Sequence, residues 1–181
     1  MVQGIIEERS VEIPEQVATK LDGKVLTITG PLGELKKDFS HAPVQIEVLN
    51  KKIAVKTFWP RKVERSLVGT ITTHIRNMVK GVTKGYTYKL NVVFSHFPIT
   101  VKVQPKKVLI ENFIGERSPR VAKIIGDCKV VVKGEEISVM GLDIEQVSQT
   151  AANIKTSTKI RRKDPRVFLD GIYVYEKGEG I

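Results

Sequence analysis

The sequence predicts an α+β protein of two tandem similar domains, each an antiparallel sheet with one packed helix, plus a basic C-terminal arm. Three observations carry this. Each half of the chain sets short alternating apolar runs and turn signals before a single segment of helical period. The two halves repeat one another at a nearly constant offset. A dense run of cations then lies beyond the repeat. The repeat is visible in the residues: Ile13-Pro14 returns as Phe97-Pro98, Lys24-Val25-Leu26 as Lys107-Val108-Leu109, Gly33-Glu34 as Gly115-Glu116, and Lys52-Ile53-Ala54-Val55 as Glu136-Ile137-Ser138-Val139. The offsets are 84, 83, 82 and 84, in order along the chain. This spacing exceeds any solenoid period and reads as a duplicated domain. The expected division is residues 1–84, residues 85–158, and an arm with a terminal strand over residues 159–181.

Taken in order, Gly4 to Pro14 alternates through Val11 and Ile13 and suits an edge strand that Pro14 ends. Val17 to Leu21 alternates again, and Asp22-Gly23 is a hairpin signal before the strand Lys24 to Thr29. Gly30-Pro31-Leu32-Gly33 turns the chain into Glu34 to Phe39. A second hairpin pairs Val44 to Leu49 with Ile53 to Phe58 around Asn50-Lys51-Lys52. Pro60 opens a helix whose Val63, Leu67, Ile71, Ile75 and Met78 share one face, and Gly81 is the expected stop.

In the second half, Tyr88 to Phe94 reads as an apolar stretch bridging the two copies. Strands are expected at Ile99 to Val103, Lys107 to Glu111 and Val121 to Ile125. A hairpin of Cys128 to Val132 with Ile137 to Met140 turns at Lys133-Gly134. Asp143 caps a second helix with Gln146 as its capping-box partner, and Ile144, Val147, Ala151 and Ile154 form the buried stripe.

Charge placement points to function. The 181 residues carry a net charge of +10, the balance of a chain that meets an anionic partner. Lys155, Lys159, Arg161, Arg162, Lys163 and Arg166 fall within twelve residues beside one acid, Asp164. Such cations repel one another unless a counter-charge is supplied. Pro165 rules out a helix through them, and the β-prone run Val167 to Tyr175 anchors the far end. An anchored arm suits a polyanion of defined shape, with arginines forking onto phosphates and lysines acting as point charges. Arg117 and Arg120 flank Ser118-Pro119 and extend that surface. Lys106 and Lys107 close a stretch, Arg65 to Ile110, that holds no acid at all. Folded RNA is preferred over DNA, because no helix gathers base-reading side chains at its amino end. Aromatics are 6% of residues, too few for stacking to be the main device.

Little supports chemistry. His41, His74 and His96 show no metal-ligand spacing, and Cys128 has no Cys or His beside it. Cys128 leads into Lys129-Val130-Val131-Val132 and reads as a small packed hydrophobe. Gly30 to Gly33 is too short to cradle a phosphate. No catalytic residue, metal or cofactor is expected. With one cysteine, no apolar leader and no apolar run of spanning length, the chain reads as soluble and cytosolic. The competing readings are a peripheral binder of anionic membrane and an RNA-modifying enzyme. The first lacks an amphipathic insertion helix or lipidation site.

The run from Arg166 through Val167, Phe168, Leu169, Asp170, Gly171, Ile172 and Tyr173 to Val174, with Lys163 before it and Lys177 after, resembles a known carboxy-terminal signature. It is that of the large-subunit ribosomal protein L-six family, in its archaeal and eukaryotic form. Gly23-Lys24 with Gly30 to Gly33 is similar to the family's amino-terminal hairpin. The signature's long form begins with glutamine, and this chain departs from it with Thr156 at that position. The resemblance implies a structural rRNA-binding protein near the base of the factor-recruiting stalk, its second domain against the sarcin–ricin region of large-subunit rRNA. It implies neighbouring stalk-base proteins, translation factors nearby, a place in the cytoplasmic ribosome and no membrane. By the same resemblance, Lys159, Arg161, Arg162, Lys163 and Arg166 are the main rRNA contacts. Phe168, Ile172 and Tyr173 lock the arm, and Asp170-Gly171 makes the turn between.

Overall fold

In the first half, alternation sets the strands and proline and glycine set their ends. The computed structural model describes residues 6–49, 51–160, 164 and 167–181. The chain divides into two compact units, Met1–Lys84 and Gly85–Ile181. The first holds β1 (Ile6–Glu12), β2 (Ala18–Asp22), β3 (Val25–Gly30), β4 (Gly33–Asp38), β5 (Gln45–Leu49), β6 (Lys52–Phe58) and α1 (Lys62–Thr83). Rather than one continuous sheet, these strands make two of three strands each, ordered β1-β6-β5 and β2-β3-β4. Pro14, without an N–H, ends the β1 ladder and separates the two sheets. α1 packs on both, so its buried stripe of Val68, Ile71, Ile75, Met78, Val79 and Val82 closes a core with Leu26, Ile28, Ile53 and Val55.

The helix differs from its sequence reading at both ends. It starts at Lys62 with Arg61 as N-cap, and Val63 is 66% exposed instead of buried. Gly81 lies buried inside it, and the left-handed residue after the helix is Gly85, at φ 78°. Glycine costs a helix interior only about 1 kcal/mol, which burial of Val82 outweighs. Val82 also fixes Gly30: a Cβ there would stand 2.7 Å from both the Val82 carbonyl oxygen and its Cγ2. Gly30→Ala should therefore lower stability by about 1–3 kcal/mol, read as a lower denaturation midpoint at unchanged m-value.

The second unit repeats the plan with β7 (Tyr86–Val93), β8 (Thr100–Gln104), β9 (Lys107–Glu111), a 3₁₀ turn at Phe113–Gly115, β10 (Arg120–Lys123), β11 (Lys129–Lys133), β12 (Glu136–Gly141), α2 (Ile144–Ser157) and β13 (Gly171–Glu179). Its sheets are ordered β8-β9-β10 and β11-β12-β7-β13. The first matches β2-β3-β4, and the second matches β1-β6-β5 with one strand added. The stretch read as a bridge is β7, which pairs with β12 on one side and β13 on the other. Both of its partners, β12 and β13, lie later in the sequence, which is why it looked like a connector. Asp143 caps α2 as expected, accepting from Glu145 N at 2.9 Å. Gln146 does not complete the box; its Oε1 accepts from Asp127 N at 3.3 Å and ties the preceding loop to the helix.

Candidate nucleic-acid interface

The interface begins where α2 ends, because Thr158 performs two tasks there. Its hydroxyl donates to the Lys155 carbonyl at 3.0 Å and accepts from Ile172 N, at the start of β13, at 3.1 Å. Thr158 and Ile172, the described residues on either side of the basic segment, are thus bonded to one another. Both residues are buried. Thr158→Val keeps the shape but leaves the Ile172 N–H unsatisfied. It should cost about 1–3 kcal/mol and speed hydrogen exchange at β13 before the rest of the unit.

Two further contacts hold the segment's flanks. On the incoming side, Arg120 forks onto Glu116, with Nε donating to Oε2 at 2.7 Å and Nη2 to Oε1 at 2.5 Å. Its Nη1 donates to the Ser157 carbonyl at 2.8 Å, and its Cζ lies 4.3 Å from the centre of the Phe113 ring. Hydrogen bonding to Arg120 holds the Glu116 carboxyl below its usual range. On the outgoing side Asp170 is 2% exposed. It accepts from Ser95 N at 2.7 Å, His96 N at 3.1 Å and His96 Nδ1 at 2.6 Å. Burial alone would raise the Asp170 carboxyl, but the Ser95 and His96 donors hold it well below the carboxylate range. Phe168 stacks on His96 at 4.8 Å, Ile172 is buried and Tyr173 is exposed. Asp170 is thus a latch, and Gly171 is the first residue of β13.

Ser95, His96 and Asp170 do not form a proton relay. Ser95 Oγ lies 3.0 Å from the same Nδ1 that meets Asp170, whereas activating a serine needs the two on opposite ring nitrogens. Burial pushes the half-buried Cys128 thiol up, away from its nucleophilic thiolate. Among the described residues no cluster of three metal-ligating side chains occurs, and no helix is long and apolar enough to cross a membrane.

Of the cations singled out in the sequence, Arg161, Arg162, Lys163 and Arg166 lie outside the described residues. Lys155 stands exposed on the last turn of α2, and Lys159 is exposed just beyond it. Lys159 lines an open groove of about 890 Å³ beside β10, with Lys123, Asn153, Thr156, Ile114 and Val121. Lys123 was missed in the sequence. It sits directly opposite Lys107 in the β9–β10 ladder, a like-charge pairing that costs stability unless an anion lies over it. Knowledge of strand register would have found it. Lys106 holds the left-handed position, φ 68°, of the turn after Pro105, and its carbonyl accepts from Ile124 N at 3.0 Å. Lys106, Lys107 and Lys123 therefore share one end of the small sheet, and Lys123 joins them to the groove. Arg117 is exposed in the loop before β10.

Two stretches of the chain, residues 13–85 and 97–171, match the family Ribosomal protein L6. The chain belongs to that family. Each matched stretch spans one three-strand meander, one hairpin and one helix, so the Ribosomal protein L6 repeat is the duplication read from the residues. The chain is 53% identical over 173 residues to a protein of Staphylothermus marinus named large ribosomal subunit protein uL6, covering 93% of this chain and 94% of that one. The same-named protein of Desulfurococcus amylolyticus is 52% identical over 174 residues, covering 94% and 95%. That of Methanobrevibacter smithii is 44% identical over 177 residues, covering 98% and 99%. Family membership agrees with a structural rather than an enzymatic protein.

Proposed function

We propose that the protein is a structural constituent of the large ribosomal subunit in the cytoplasm, binding rRNA mainly through its second unit and the basic segment from Lys155 to Arg166. In this reading it sits by the base of the factor-recruiting stalk, against the sarcin–ricin region, with stalk-base proteins as neighbours and translation factors nearby. The observation that carries the reading is the pair of anchors on either side of the basic segment. The residues that flank the cations are fastened, Thr158 to Ile172 and Asp170 to Ser95, and a segment tethered at both ends loses less entropy on binding than a free tail. Lys155, Lys159, Arg161, Arg162, Lys163 and Arg166 are the proposed phosphate contacts, with Lys106, Lys107 and Arg117 extending them. Arg120 acts by positioning, since its fork is committed to Glu116 and Ser157.

The test is sedimentation of cell lysate through a high-salt cushion, where the protein should travel with large subunits. A protein left in the supernatant would refute the reading. Co-sedimentation with anionic vesicles that persists when rRNA is added would instead favour a membrane surface.

A further inference from the structure

Resting on that proposal of rRNA binding, we infer that the first unit carries a second, separate RNA contact at Phe58–Arg65, where an unpaired nucleobase stacks on Trp59 and the following cations take the adjoining phosphates. Trp59 is the chain's single tryptophan. It is 63% exposed and its neighbour Phe58 is 52% exposed. Aromatic rings gain most from burial, so two adjacent ones in solvent are informative.

The backbone at this point is also held against preference. Trp59 has φ 52°, in the left-handed region that bulky side chains avoid. It precedes Pro60, whose ring biases its predecessor toward extended conformations. A glycine would meet neither objection as strongly, yet a large π surface stands there.

Cations follow the rings along the chain. Arg61, Lys62 and Arg65 are all exposed and follow within six residues of Trp59. The acid of that turn, Glu64, has one carboxylate oxygen buried, and from Arg65 onward no acid occurs until after Ile110. Aromatic faces beside arginine and lysine are the pairing that single-stranded nucleic acid uses, stacking for the base and charge for the backbone. A protein partner would prefer an apolar centre with few cations. A lipid surface would need an apolar helix face, and that of α1 is already spent on the two sheets.

The sole tryptophan is its own reporter. In the full-length protein, Trp59 fluorescence should be quenched by a single-stranded oligoadenylate of about ten nucleotides. A duplex RNA of equal length, polyphosphate and anionic vesicles should quench it far less. Arg61→Ala with Lys62→Ala should weaken the oligoadenylate titration several-fold at low salt. By competition against labelled oligoadenylate, Trp59→Ala should weaken binding about ten- to hundred-fold. Trp59→Gly should weaken it similarly while raising the melting temperature by relieving the backbone, the signature of a residue kept at a cost to stability. Absent quenching, equal quenching by polyphosphate or vesicles, or a lowered melting temperature in Trp59→Gly would each overturn the inference. Binding of large-subunit rRNA is measured on the same protein. If it persists with its steep salt dependence while Trp59 stays unquenched, only this second contact fails. If both are absent, the parent reading fails too.

Discussion

Replacing Arg161, Arg162 and Lys163 together by alanine should flatten the salt dependence of rRNA binding. A segment that neutralises about six phosphates gives a log–log slope of roughly −4 to −5, and each lost contact removes about 0.7–0.9. The triple variant should therefore bind with a slope of roughly −2, and about a hundredfold more weakly near physiological salt. The segment's flanks are held by Thr158, Arg120 and Asp170, none of them altered, so thermal stability should be unchanged. Filter binding of large-subunit rRNA across a salt series, with a melting curve beside it, measures both. A slope identical to that of the parent would show that the segment carries none of the phosphate contacts.

The second large effect belongs to Asp170. Asp170→Ala removes a buried acceptor from four donors, the N–H and Oγ of Ser95 and the N–H and Nδ1 of His96. Loss of these charge-assisted bonds should cost about 1.5–3 kcal/mol, since water can reach the exposed Ser95 and His96 donors. The sign of its pH dependence follows from the direction of its shift. The folded carboxyl is held well below the unfolded value, so its contribution is complete above ~4 and declines as pH falls through the unfolded range toward the depressed folded one. Asp170→Asn should start lower in stability and lose less on acidification from neutral pH to pH ~3 than the parent. Urea unfolding at the two pH values checks this. Equal acid losses in both proteins would mean that Asp170 is not linked to folding. In either variant, the proposed rRNA affinity should fall without a change in salt slope, because the cations remain and only the anchor beside them is lost.

Legibility in the sequence followed the range of the interactions involved. Local devices could be read directly: the Asp22-Gly23 and Lys133-Gly134 turns, the Asp143 cap, and the helical stripe from Ile71 to Met78 all depend on neighbours a few residues away. Long-range pairing could not. β7 looked like a connector because both its edges are paired, one by β13 from the far end of the unit. Gly81 looked like a stop because Gly30, whose missing side chain admits Val82, lies remote in sequence. For the interface, counting charges singled out the cations of the arm and of the β8–β9 turn, but not the fastening. Asp170 looked like half of a turn signal, and only the fold brings it to Ser95 and His96. Arg120 counted as one more cation, although Glu116 and the Ser157 carbonyl claim it.

The added strand β13 sets an order of events during synthesis. Gly171 pairs with Val93 and Glu179 with Tyr86, so the strand that opens the second unit waits for the one that closes it. Until residue 179 has cleared the translating ribosome's exit tunnel, β7 has an open side, Asp170 has not reached Ser95, and the cationic segment has no far anchor. If the basic segment binds RNA as proposed, a nascent chain gains that hold only once β13 has paired with β7, which delays tight capture of stray RNA until the unit behind it is folded.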